Sequence, residues 1–184
     1  MFLPNCGKLG MSCKLLILYL SYELQKIIDM SESKRISNLY QSIYNGNPWL
    51  EVTLANTLKD ITAEQAYRKI NPDLNTIWEI VNHLIQWRRN ILRRMQGEII
   101  TTPDHNYFVP VIDPSEVAWQ QSLQNLAKSQ ELWNSFFESF DDKDFEKIYP
   151  NNNHTYYEHI HGIIQHDVYH LGQIVILKKL VKHS

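Results

Sequence analysis

From Thr155 to Lys182 the chain runs without a proline, and it opens on Thr155-Tyr156-Tyr157-Glu158, a capping box that starts a helix. At its centre stands His166-Asp167-Val168-Tyr169-His170-Leu171-Gly172-Gln173. On a helix, residues four apart share a face, with Cβ atoms about 6 Å from each other. Two imidazoles so placed can hold one metal ion, because each metal–nitrogen bond is only about 2 Å long. Gln173 follows His170 on the same face. A third ligand has to come from another helix, so this stretch demands a packed helical partner. Gly172 inside the helix lowers its propensity and suggests close approach of another backbone.

The remaining segments supply helices and no convincing strand. Apolar residues Trp49, Val52, Leu54, Ala55, Leu58 and Ile61 recur at helical spacing and predict a helix near 48–60. Thr62-Ala63-Glu64-Gln65 opens a short one at 63–68. A long helix over 76–96 carries the stripe Ile77, Ile80, Val81, Leu84, Trp87, Ile91, Leu92 and Met95, with Gly97 just beyond its end. Asp113, as N-cap, and Pro114 begin another that runs to about Ser139. Residues 31–47 read as polar and mixed, with some helix. No residue run alternates as a strand does. The expected fold is all-α, a four-helix bundle with long crossover loops after residues 97 and 140.

Composition limits the function classes. The 184 residues suit one domain, here 30–184. The formal net charge of -2 gives no bulk field for nucleic acid or an anionic membrane, so neither is expected as a partner. Both cysteines, Cys6 and Cys13, precede the bundle, so it has no disulfide, no thiolate zinc site and no cysteine nucleophile. A reducing, cytoplasmic setting fits that usage. The apolar run Leu15–Leu20 is too short to cross a bilayer. Met30-Ser31-Glu32-Ser33-Lys34 has the character of an ordinary beginning, so residues 1–29 read as an over-called start, with a genuine extra N-terminal segment as the alternative.

His83 lies inside the apolar stripe of the 76–96 helix and is the candidate third ligand beside His166 and His170. Spacing alone leaves two readings open: a three-histidine metal site, or core histidines satisfied by backbone and solvent. His159, two turns before His166, is a candidate proton shuttle at a pocket mouth or a partly exposed helix residue. Gln173 is a candidate for orienting a ligand histidine or for helix–helix hydrogen bonding. His105 can reach a pocket from its loop, and His161, His154 and His183 are assigned no role. Arg88, Arg89, Arg93 and Arg94 gather at one helix end. They read as a solvated end, or, through Arg88 and Arg89, as a receptor for a substrate carboxylate or phosphate.

The phrase His166-x-x-x-His170-Leu171-Gly172-Gln173-Ile174, with Asn82-His83-Leu84, Trp87 and the arginine-rich turn, resembles the DinB-like (DinB/YfiT-like) superfamily of metalloenzymes. The similarity spans about Pro48 to Val181. It implies a four-helix bundle holding a divalent ion on His83, His166 and His170, commonly as a homodimer. Characterised relatives include transferases and isomerases that use a low-molecular-weight thiol, bacillithiol or mycothiol. The expected function is therefore a metal-dependent S-transferase acting on small electrophiles. The alternatives are a metal-dependent hydrolase and a non-enzymatic metal-binding stress-response protein. Histidine ligands suit zinc, nickel, iron or copper, so the metal stays open.

Overall fold

A computed structural model describes residues 18–21 and 30–183; the reading of residues 1–29 as an over-called start falls largely outside them. The fold is all-α. Four long helices form the bundle: α1 (Glu32–Asn45), α4 (Ile77–Met95), α5 (Glu116–Ser139) and α6 (Tyr156–His183). Two short helices, α2 (Leu54–Leu58) and α3 (Ala63–Tyr67), lie between α1 and α4, and a 3-10 turn spans Asp142–Glu146.

The helix ends follow the local chemistry read from the sequence, with exceptions. Thr62 and Gln65 close a reciprocal capping box at α3, and Thr76 and Glu79 do so at α4. Thr155 and Glu158 do the same at α6. Gly97, at φ 91, ends α4 with its N–H on Arg94 O, while Glu98 N–H reaches Arg93 O. Ser115, not Asp113, caps α5 by accepting from Ala118 N–H. Asp113 instead accepts from Ser115 N–H in the preceding turn.

Two expectations are corrected. The first bundle helix is α1, not 48–60. The buried face of α1 is Ser33, Ile36, Ser37, Tyr40 and Ile43, and two serines in that stripe dilute its apolar signal. Ser31 caps it, and Asp142, from the far connection, accepts from Glu32 N–H and Ser33 N–H at 2.7 and 3.0 Å. In 48–60, Glu51 takes φ 62 and Trp49 is 99% exposed, so only Leu54–Leu58 is helical. Gly172 also departs from expectation. A Cβ there would meet nothing within 4 Å, so no backbone approaches it.

Helix directions follow from the contacts. Trp78 donates to Ser122 Oγ and Trp133 donates to Arg88 O, so α4 and α5 run parallel. Parallel neighbours need a connection that travels back along the bundle, and residues 96–115 make that crossover. By contrast α5 and α6 run antiparallel, so the connection after 140 is not a crossover: Trp119 and Leu126 share a core cluster with Leu171 and Leu177, and Trp133 shares one with Ile160.

The core is aromatic and almost fully hydrogen-bonded at its indoles. Trp78, Trp119 and Trp133 are buried, and Trp119 donates to Ile61 O at 2.7 Å. Between the two apolar clusters lies one buried ion pair. Arg88 Nε donates to Asp167 Oδ2 at 2.8 Å, and both side chains are 0% exposed. Arg88 Nη1 donates to Ser129 Oγ and Gln130 Oε1 on α5, and the Tyr40 ring of α1 lies 4.8 Å from its guanidinium carbon. One side chain thus touches all four long helices.

Removing one member leaves the other charged and buried. Asp167→Ala is expected to destabilise the fold by about 3–5 kcal/mol in urea unfolding. The double change Arg88→Met with Asp167→Leu should be milder than that single change. A double variant as unstable as Asp167→Ala would show that packing, and not the orphaned charge, sets the loss.

Candidate metal centre

His83 comes from the middle of α4, and His166 and His170 from one face of α6. α4 and α6 pack antiparallel, and the three rings meet between them. Their metal-ligating atoms lie within 4.8 Å of one another. His83 Nε2 and His166 Nε2 are 2.9 Å apart. The ring centroids of His170 lie 4.7 Å from His83 and 4.5 Å from His166. Metal–nitrogen bonds of about 2.1 Å in a tetrahedral arrangement need nitrogens about 3.4 Å apart. Small ring rotations reach that spacing.

Two of the three other ring nitrogens are used in the way a metal site requires. His83 Nδ1 donates to Asn106 O at 2.7 Å, and His170 Nδ1 donates to Gln173 Oε1 at 2.7 Å. Each acceptor fixes the tautomer and leaves Nε2 unprotonated, with its lone pair directed at the cluster. Gln173 is itself held, its Nε2 donating to the Tyr169 hydroxyl at 3.0 Å. His166 Nδ1 is buried without a hydrogen-bond partner, and so is Asp167 Oδ1, 3.9 Å away. A shift of about 1 Å would join them as a carboxylate–histidine pair. The donor set and its surroundings fit a divalent ion.

The electrostatics agree with that fit. Burial, with His166 and His170 nearby, lowers the His83 pKa to about 3. Burial and His166 lower His170 to about 4. Both rings are therefore neutral near pH 7, the form that binds metal.

The crossover loop covers one side. Phe108 stacks on His83 at 3.8 Å, nearly parallel, and Trp87 donates to Asn106 Oδ1 at 3.2 Å. Asn106 and Tyr107 have φ of 48 and 61, a left-handed pair that aims the Asn106 carbonyl at His83. On another side a cleft of about 350 Å³ opens on His166 and runs past Trp87, Ile91, Gly162 and Ile163 to Arg94, Asn152, His154 and His159.

The structure separates the other sequence candidates. Gln173 reaches a ligand histidine. His159 lines the cleft, donating toward Asn152 Oδ1, with its pKa lowered to about 4 by burial and Arg94. It stands two helical turns, about 10 Å, from His166. The arginines do not act together. Arg88 is buried on Asp167, so it cannot receive a substrate anion, and Arg89 is exposed on another face, beside Lys128 and Asn125. Arg93 pairs with Glu98. His105 is exposed, and its neighbour Asn106 makes the contact instead. Asn106, Phe108 and Asp167 had no role in the sequence reading. An acidic residue inside a core helix and an arginine inside the apolar stripe of another are the signals from which the Arg88–Asp167 pair could have been read.

The family model described as the DinB superfamily matches residues 50–174, which holds all three histidines and the crossover loop but not α1. Comparison with curated proteins and with solved structures returned no match.

Two outcomes are expected. Gln173→Leu removes the acceptor of His170 Nδ1 and should weaken zinc binding about 10–100-fold in competition with a chromophoric chelator. Unchanged affinity would remove Gln173 from the site. Second, metal-free protein should lose stability between pH 7 and pH 5. His83, His159 and His170 have folded pKa values below the ordinary 6.5, so their contribution is present above about pH 6.5 and fades as pH falls toward 4 and 3. Carboxylates titrate mainly below this window, which isolates the histidines. A flat urea midpoint from pH 7 to pH 5 would contradict the buried neutral histidines.

Proposed function

The chain belongs to the DinB superfamily, and we propose that it is a divalent-metal-dependent enzyme that transfers a small thiol onto an electrophile. The observation that carries this reading is the three-histidine cluster, with two Nδ1 atoms held by acceptors, at the end of a cleft. A divalent zinc, nickel or iron ion would be held by His83, His166 and His170 and would supply a Lewis acid that favours thiolate over thiol.

The protein's own residues account for the rest. Asn106 O and Gln173 Oε1 orient His83 and His170. Phe108 shields His83 from water on the loop side. Trp87, Ile91 and Ile163 offer an apolar wall for the electrophile. No cysteine follows Cys13, so the sulfur comes from a separate low-molecular-weight thiol. Its proton leaves to solvent, the carbon–sulfur bond forms, and the bond to the leaving group breaks with the electron pair departing on that group.

The hydrolytic reading is weaker because it needs a general base beside the site. Asp167 is fully buried on Arg88, and His159 is about 10 Å along α6 from His166. A non-enzymatic metal module has no use for a cleft that opens on His166. A homodimer, by family likeness, and a cytoplasmic setting, by cysteine usage, are part of the proposal. Among the described residues no helix is long and apolar enough to cross a membrane.

Elemental mass spectrometry of untagged protein should find about one ion per chain, absent in His83→Ala and in His166→Ala/His170→Ala. The loaded protein should conjugate monochlorobimane to bacillithiol or mycothiol at least ten times faster than the His83→Ala variant. Bound metal with no thiol-dependent turnover of any electrophile tried would overturn the transferase reading and leave the metal site standing.

A further inference from the structure

We propose that the far end of the cleft, around Arg94, receives the carboxylate of a small amphipathic substrate whose apolar body lies along Trp87, Ile91 and Ile163. The inference deepens the functional reading above, since it takes this cleft as the substrate site, and it names the substrate class.

Arg94 is 6% exposed, yet no carboxylate among the described residues pairs with it. Three other arginines do have a carboxylate partner: Arg88 pairs with Asp167, Arg93 with Glu98 and Arg68 with Glu64. Arg94 Nη2 donates to Ile100 O at 3.2 Å and Thr102 Oγ1 at 3.1 Å, which fixes the guanidinium in place. Its Nε is buried without a hydrogen-bond partner. The Trp87 and Tyr149 rings lie 5.6 and 5.3 Å from its guanidinium carbon and offset only part of the burial of a charge. A desolvated, positioned guanidinium lining a cleft is the side chain that binds a carboxylate best.

The cleft joins this cation to the histidines. Trp87 links its two ends, its ring 5.7 Å from His166 and 5.6 Å from the Arg94 guanidinium carbon. Ile91, Ile163 and the open Gly162 line the cleft, as do Asn152, His154 and His159. Glu158 is the one acid in the lining. Its Oε2 accepts from Thr155 N–H and Oγ1, and its Oε1 lies 3.5 Å from His154 Nδ1, so it does not neutralise Arg94. One guanidinium, in a cleft that also carries the Glu158 carboxylate, suits a monoanion better than a doubly charged phosphate.

Metal-free full-length protein tests this without using the metal reading. The probes are 4-phenylbutyrate and its uncharged counterpart 4-phenyl-1-butanol, titrated while the Trp87 indole N–H is followed by NMR. The acid should bind at least tenfold more tightly than the alcohol, and the preference should shrink with added salt. Arg94→Gln should erase the preference. Gly162→Leu should block both probes, since a Cβ at Gly162 meets nothing within 4 Å and the larger chain enters the cleft, and it leaves Arg94 intact should Arg94→Gln disturb the 100–102 loop. Equal binding of acid and alcohol to the wild type would overturn the proposal. So would acid binding that survives both variants, or that is lost in His166→Ala but kept in Arg94→Gln. A zinc-binding protein that fails this test would keep its metal centre and lose only the carboxylate subsite.

Discussion

The Arg88–Asp167 pair sets the register of the bundle. It is a fully desolvated ion pair, and such pairs contribute little net stability against well-packed apolar residues. What it does contribute is position. Arg88 on α4 grips Asp167 on α6, reaches Ser129 and Gln130 on α5, and lies against Tyr40 of α1. Sliding α6 by one turn would bury both charges alone. Asp167 is next to His166, so the interaction that fixes the helix also fixes that candidate ligand. Its second oxygen, unpartnered, faces the unpartnered Nδ1 of that histidine at 3.9 Å.

The second constraint is topological. Since α4 and α5 run parallel, residues 96–115 must travel the length of the bundle, and they do so across the histidine face. That crossover brings Asn106 and Phe108 onto His83. A direct antiparallel hairpin between these helices would leave His83 without its backbone acceptor. Its Nδ1 would then compete with Nε2 for the proton, and the ring's orientation would be free. The left-handed Asn106 and Tyr107 mark where the loop is bent to make this contact.

Much of this was legible from residues alone. The capping boxes at Thr62, Thr76 and Thr155, and the glycine after α4, encode boundaries within a few residues, so local sequence reports them. The histidine pair at i, i+4 and the lone histidine in an apolar stripe are helical-face statements, and the bundle brings them together. α1 was dim because its buried face includes Ser33 and Ser37, and its N-terminus is completed by Asp142, far away in sequence. Residues 48–60 misled because apolar spacing there belongs to a loop whose Trp49 faces outward. Asn106 was invisible, since its role is played by a backbone carbonyl, which any residue possesses.

The arginines show where such reading stops. Arg88 and Arg94 lie six residues apart on one helix, both nearly inaccessible. Composition and spacing make them equivalent, and the sequence argument put the anion at Arg88 and Arg89. Their chemistry differs because of what the rest of the chain places opposite. Asp167 satisfies Arg88 and turns it into a structural strut. Arg94 faces the indole of Trp87, the phenol of Tyr149 and a cleft, with no carboxylate partner among the described residues. A buried cation with a partner ends a line of argument about function, and a buried cation without one begins it.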